Sequence, residues 1–241
     1  MAINASDESR KRNLVEVERT KMGLTVVTGA NRGIGLELVR QLNDRGAAVV
    51  AICRNRSIEL DRLGIRVESG FELTAPDSWP EIGRLFEREN IDLLIQNAGI
   101  ASIDSKDSLE LDAVHAQFAT NAVAPLFLTR ALAPRLRHGA KVALISSRMG
   151  SIGDNGSGGY YGYRMSKAAL NAAGVSLAHE LRPAGVALVV LHPGAVRTDM
   201  TKHTGTIDAR VSARGLLERI DELRLETTGR FVHQTGEILP W

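Results

Sequence analysis

Tyr163 and Lys167 stand four residues apart in the run YRMSK. Residues at that spacing share one face of a helix, so the lysine ammonium can lie beside the tyrosine phenol. A nearby positive charge favours phenolate and lowers a phenol from its usual pKa of about 10. A tyrosine tuned in this way can protonate a carbonyl oxygen or take a proton from an alcohol. Alone, a Y-x-x-x-K spacing also describes many ordinary helix-surface pairs. What gives it weight is TGANRGIG, which begins at Thr28 at the end of the first apolar run. Gly29, Gly33 and Gly35 let the backbone turn tightly and approach a pyrophosphate, whose charge a helix N-terminus favours. Asn31, Arg32 and Ile34 lie in the same loop and are expected to touch the cofactor with the glycines. The spacing is G-x-x-x-G-x-G, not G-x-G-x-x-G.

The adenosine end is legible too. NAD enzymes commonly place an acid after the second strand to hold the ribose hydroxyls. Here that position is Cys53, followed by Arg54, with no acid until Glu59. Arg32 adds a second cation from the glycine loop. Two guanidinium groups near the ribose favour a 2′-phosphate, hence NADPH over NADH, with NAD still possible. The plainer alternative is a pair of solvated surface arginines. Other polar residues mark the ends of later apolar runs: Asn97-Ala98-Gly99, Ser146 and Ser147, Pro193-Gly194, and then Val196 and Thr198. Asn121 falls inside a long helical stretch, where a buried amide needs a partner.

Elements with the right alternation must position these groups. Short apolar runs at 24–28, 47–53, 65–67, 91–95, 141–145 and 186–191 read as buried parallel strands. Helical spacing fills 34–45, 57–63, 77–89, 109–136 and 163–182, with a last helix near 208–224 and a seventh strand at 230–232. Such alternation predicts an α/β fold: a single-domain, Rossmann-like, doubly wound parallel sheet of about seven strands with helices on both faces. Residues 1–22 are highly charged with no apolar stripe and read as a flexible extension to a domain over 23–241.

The 241 residues, 44% apolar, suffice for one full core. With 30 basic and 28 acidic side chains the net charge is +2, which makes no case for nucleic acid. One cysteine, Cys53, excludes an internal disulfide, and the histidines show no metal-ligand spacing, so no metal is expected. No apolar stretch reaches the length of a membrane span, so a cytoplasmic protein without a membrane partner is expected.

In order and spacing, TGxxxGxG, NAG, a helix asparagine, a serine after strand five, Y-x-x-x-K and PG-x-x-x-T resemble the short-chain dehydrogenase/reductase family over about 24–241. TGANRGIG, SSRMGSI, HPGAVRTDM and the closing GEILPW are similar to its carbonyl-reductase-like branch, which contains sniffer and C-factor proteins. The resemblance implies roles. Tyr163 is the general acid, and Lys167 binds the nicotinamide ribose and lowers the Tyr163 pKa. Ser147 directs the carbonyl oxygen, and Asn121 holds a water that links Lys167 to solvent. Ser147 is preferred to Ser146 because S-x-x-G follows it. Two departures stand out. Ser147 and Tyr163 are farther apart than is usual, across a glycine-rich stretch where an insertion is cheap. Glu72-Leu73 replaces the usual aspartate and its neighbour, with Leu73 expected to present its backbone to adenine.

The expected activity is NADPH-dependent reduction of a ketone, aldehyde or quinone-like carbonyl, with an alcohol as the reverse substrate. The alternatives are an NADP-binding regulatory or signalling protein of the C-factor type, and an NAD-dependent alcohol dehydrogenase. Loops near 100–108, 148–162 and 195–207 are expected to form a partly apolar substrate pocket with Ile100, Ile103, Met149, Ile152, Tyr160, Tyr161 and Met200. The family habit of pairing through helices at 109–136 and 163–182 implies a homodimer or homotetramer.

Overall fold

The computed structural model describes residues 23–241, so the expected extension over 1–22 lies outside the described residues. Seven strands build the main sheet: β1 (Leu24–Thr28), β2 (Ala48–Cys53), β3 (Arg66–Ser69), β4 (Ile91–Gln96), β5 (Leu136–Ile145), β6 (Ala187–His192) and β9 (Arg230–His233). Their order is β3-β2-β1-β4-β5-β6-β9, and every neighbour pair is parallel. Consecutive side chains on a strand point to opposite faces, so the continuous apolar runs feed two cores. Val26, Leu94, Leu144 and Val190 face one side with Leu128, Leu132, Leu170 and Leu177. Their neighbours Val27, Ile95, Ala143 and Leu191 face the other, against Leu38, Val39, Leu216 and Leu217.

The helices that cover those cores are α1 (Gly33–Asp44), α2 (Ile58–Asp61), α3 (Ser78–Leu85), α4 (Leu111–Phe118), α5 (Ala124–Leu132), α6 (Tyr161–Leu181) and α7 (Ala209–Glu222). Alternating strand and helix in this order makes a doubly wound Rossmann-like sheet. It places the carboxyl ends of β1, β2, β4, β5 and β6 along one edge, where the loops carry the residues of interest.

Three local features differ from the sequence expectation. The helix predicted over 109–136 is broken by a π-helical turn at Ala119–Val123, centred on Asn121. Pro125 explains it: with no N–H to return to the Asn121 carbonyl, the helical ladder is re-registered there. A second proline, Pro134, falls in the closing 3-10 turn Ala133–Arg135, and β5 begins at Leu136, earlier than predicted. A separate ladder of β7 (Val196–Arg197) and β8 (Ile207–Asp208) was not predicted, because two-residue strands carry no periodicity.

Candidate active site

A cleft of about 980 Å³ runs along the carboxyl edge of the sheet. Its floor is the β1–α1 turn. Gly29 has φ +65°, and a Cβ there would come within 2.7 Å of the Ala98 Cα. A Cβ on Gly35 would sit 2.2 Å from the Gly29 carbonyl oxygen and 2.5 Å from Asn97 Nδ2. The turn is therefore closed against its neighbour by the absence of side chains. Asn97 locks it: Nδ2 donates to the Thr28 and Gly29 carbonyls at 3.2 and 3.0 Å. The Asn97 and Ala98 N–H groups both donate to Thr28 Oγ1. Asn97 thus holds the glycine turn in shape as well as bordering the cleft. Arg32 makes no side-chain cap, so the first N–H groups of α1 have no side-chain acceptor at the Ncap and lie where a pyrophosphate would be favoured.

At the adenosine end Cys53 closes β2, buried, with Arg54 beyond it. Both predicted cations are ion-paired. Arg54 Nη1 lies 3.1 Å from Glu72 Oε2, and Arg32 Nη1 lies 3.1 Å from Asp199 Oδ2. Partial burial pushes the Glu72 carboxyl up, but hydrogen bonds from Arg54 and Thr74 outweigh it and hold the group below its usual range. Leu73 lines the cleft, and its carbonyl accepts from Trp79 Nε1 at 2.8 Å, so that oxygen is already engaged. No acid follows β2 directly, where a free ribose would select one, but each guanidinium at this end is paired with an acid that also lines the cleft.

The other end holds the reactive groups. Tyr163 and Lys167 lie on the first turns of α6, and Lys167 Nζ stands 5.9 Å from the centre of the Tyr163 ring. Both are buried. Burial lowers the Lys167 ammonium to about 8, while Nζ donates to the Ile145 carbonyl at 2.8 Å. Burial also raises the Tyr163 phenol, against a smaller downward pull from its hydrogen bond with Ser147. The lowering expected of Tyr163 is therefore reversed, because desolvation disfavours the phenolate more than its polar neighbours favour it. Ser146 is committed elsewhere, donating to Asn171 Oδ1 at 2.6 Å, which leaves Ser147 as the serine that meets the phenol.

Asn121 sits in the π turn with both amide donors used and one acceptor site of Oδ1 left over. Oδ1 accepts from the Ile100 N–H at 2.8 Å, and Nδ2 donates to the Ile100 carbonyl and to Ser166 Oγ. A side chain on Gly99 would begin 3.2 Å from Asn121 Oδ1 and 3.5 Å from Lys167 Nζ, so the glycine keeps the space between them open.

Of the predicted cofactor residues, Gly29, Asn31, Arg32, Gly33, Ile34, Arg54, Glu72, Leu73, Asn97, Ala98, Gly99, Pro193 and Thr198 line the cleft with Tyr163 and Lys167. Gly35, Gly194 and Val196 do not line it, and neither do the expected catalytic residues Asn121 and Ser147. Gly35 is in the closed turn, and Val196 is buried in the β7–β8 ladder. Of the seven expected substrate residues, Ile100 and Met200 border the cleft, whereas Ile103 and Ile152 are 66% and 81% exposed. Sequence reasoning missed Asp199 and His203, which join Arg32 at the cleft mouth, and the buried Asp104, Gln117 and Asn171. Asp199 and His203 pair with each other four residues apart, but Arg32, Tyr161 and Ser146, which meet Asp199, Asp104 and Asn171, lie in distant parts of the chain, so no local pattern marks these contacts. Among the described residues no three His, Cys, Asp or Glu side chains gather as metal ligands, and no helix is long and apolar enough to cross a membrane.

A family model described as short chain dehydrogenase matches residues 24–208. The 1-hydroxy-2-glutathionyl-2-methyl-3-butene dehydrogenase of Rhodococcus sp. (strain AD45) is 41% identical over 226 residues, covering 91% of this chain and all of that one. The C-signal protein of Myxococcus xanthus is 45% identical over 154 residues, 63% of this chain and 93% of its own. Among solved structures, the carbonyl reductase Sniffer of D. melanogaster superposes with a TM-score of 0.86 at 31% identity, covering 91% of this chain and 100% of that one. An NADPH-bound carbonyl reductase from chicken fatty liver superposes with a TM-score of 0.83, also at 31% identity, covering 91% and 99%.

Proposed function

The chain belongs to the short-chain dehydrogenase/reductase family, a family of oxidoreductases, and from that premise we propose that it is an NADPH-dependent reductase of a ketone, aldehyde or quinone-like carbonyl. One observation carries the reading. Tyr163 and Lys167 line one end of a glycine-floored cleft, with the buried Ser147 hydrogen-bonded to the phenol, and the other end holds Arg32 and Arg54. The NADPH-bound carbonyl reductase of the same fold supports the choice of cofactor. Hydride chemistry is supplied by the nicotinamide when it is bound.

The chain's own residues supply position and a proton. Ser147 directs the substrate oxygen toward the phenol, and Tyr163 protonates that oxygen as it gains negative charge. The raised Tyr163 pKa suits this direction, since the phenol stays protonated through neutral pH. An alkoxide is a far stronger base than a phenolate, so the transfer remains favourable. Lys167, titrating near 8, is matched to returning a proton at neutral pH. The space kept open by Gly99 between Lys167 Nζ and Asn121 Oδ1 suits a bridging water.

Two observations favour second readings. The pairing of Arg54 with Glu72 offsets its charge, which supports NADH as an alternative cofactor and alcohol oxidation as the working direction. The C-signal relative supports an NADP-binding signalling role with incidental turnover. Exposed Leu111, Val123 and Met165, on and between the helices that cover one face, support a homodimer or homotetramer, and we place the protein in the cytoplasm.

The test is NADPH oxidation on a panel of aromatic ketones, aldehydes and diketones, beside Tyr163→Phe. Turnover lost in the variant with NADPH binding kept supports the reductase and its acid. Tight NADPH binding with no turnover on any carbonyl would move the function to signalling.

A further inference from the structure

Helix α6 begins in an unusual way for an element that carries an acid in its first turn. The residue before it, Tyr160, is left-handed at φ 52° and ψ 42°, and offers no side-chain cap. The opening N–H groups of a helix need acceptors, and when buried they are costly to leave bare. Here the acceptor comes from a segment more than fifty residues earlier in the chain. The carboxylate of Asp104, only 7% exposed, takes the Tyr161 N–H on Oδ1 and the Gly162 N–H on Oδ2, the latter at 3.2 Å. The Asp104 carbonyl takes the Tyr160 N–H at 2.9 Å. Three consecutive N–H groups thus end on one residue, and the next position is Tyr163.

Asp104 is itself held in place. Its loop runs from β4 to α4, and Gln117, fully buried on α4, accepts the Ser102 N–H on Oε1 at 2.9 Å. Gly162 lets that amide approach, because a Cβ there would stand 2.4 Å from Gln117 Nε2. Asn121 fixes the same loop at Ile100. Among the described residues Asp104 forms no ion pair, so its charge is answered by backbone N–H groups and the positive end of α6.

We propose that Asp104 is a positioning residue for the reaction: through the Tyr161 and Gly162 N–H groups it sets where the Tyr163 phenol stands against Ser147. This rests on Tyr163 being the acid, as proposed above. A displacement of about 1 Å at a reacting group can cost on the order of a hundredfold in rate. An effect on kcat, with little on ligand affinity, is therefore the signature.

The experiment uses the full chain with Asp104→Ala and Asp104→Asn. It measures kcat and KM on the best carbonyl of the panel, and the NADPH dissociation constant by fluorescence titration. Asp104→Ala is expected to lower kcat by about tenfold or more, with KM and NADPH affinity within about threefold. Asp104→Asn, which keeps the shape and one acceptor oxygen, should recover much of the loss and stay about threefold below the parent. A folded Asp104→Ala protein with kcat within twofold of the parent overturns the proposal. If that variant does not fold, Asp104→Asn decides, and parental kcat there overturns it.

A readout free of turnover separates this idea from the reductase reading. The chain has only three tyrosines, at 160, 161 and 163, so a ring-carbon-labelled tyrosine NMR spectrum can be assigned with Tyr163→Phe. A Tyr163 signal that moves in Asp104→Asn supports the proposal even if no carbonyl is turned over. An unmoved signal sinks it.

Discussion

Lys167→Met should stabilise the protein while abolishing its turnover. The ammonium is buried, and desolvation lowers it from 10.5 to about 8. Each tenfold change in a proton equilibrium is about 1.36 kcal/mol, so at pH 7 the buried charge costs roughly 3 kcal/mol of stability. Methionine fills a similar volume without the charge, but it forfeits the hydrogen bond from Nζ to the Ile145 carbonyl, about 1 kcal/mol. The expected gain is about 2 kcal/mol, or roughly 6 °C in Tm for a chain of this size. The sign with pH is fixed by linkage. Between 8 and 10.5 the unfolded lysine holds its proton and the folded one has lost it, so the parent gains stability as pH rises through that window. The cost should fall to about 1.5 kcal/mol by pH 9.5, and the advantage of the variant should shrink to about 0.5 kcal/mol. Measurement stops there because the raised Tyr163 phenol acts in the opposite sense, withdrawing stability once pH passes about 10. Thermal or urea unfolding of both proteins from pH 7 to 9.5 is the assay. A variant less stable than the parent at pH 7, or an advantage that does not change with pH, would refute the account of Lys167 as an unpaired buried cation.

Gly35→Ala should lose NADPH binding in a fluorescence titration, because its Cβ would begin 2.2 Å from the Gly29 carbonyl oxygen; binding at parental affinity would show that the turn can open. Ser147→Ala should lower kcat by about a hundredfold or more while leaving NADPH affinity unchanged, and a loss confined to KM would assign the serine to binding alone. Glu72→Gln should free Arg54 and tighten NADPH binding on the order of fivefold, with a smaller change for NADH. Equal changes for the two cofactors would separate Arg54 from the 2′-phosphate.

Much of the site is legible in the amino-acid sequence, because its logic is local. Tyr163 and Lys167 share a helix face by spacing alone, and a glycine loop between strand and helix has few uses besides holding phosphate. The strand-and-helix alternation follows from buried apolar runs between amphipathic segments, which only a doubly wound sheet can cover on both faces. Those signals lie within a few residues of one another, so a linear reading finds them.

What the tertiary structure decided is everything that depends on approach across the chain. The direction of the Tyr163 shift turned on burial, which spacing does not report. Charge pairing did as well: Arg32 and Arg54 look free in the sequence, yet each meets an acid brought by another loop. Ser146 and Ser147 are neighbours with the same chemistry; the S-x-x-G pattern only favours Ser147, whereas the structure shows Asn171, farther along α6, taking the Ser146 hydroxyl. Asp104 is the plainest case. Nothing around it in the sequence differs from an ordinary polar loop, and it became the cap of the helix that carries Tyr163 only because folding carried that loop to Tyr161 and Gly162. Periodicity and spacing are properties of neighbours along the chain, whereas desolvation and hydrogen bonding are properties of neighbours in space.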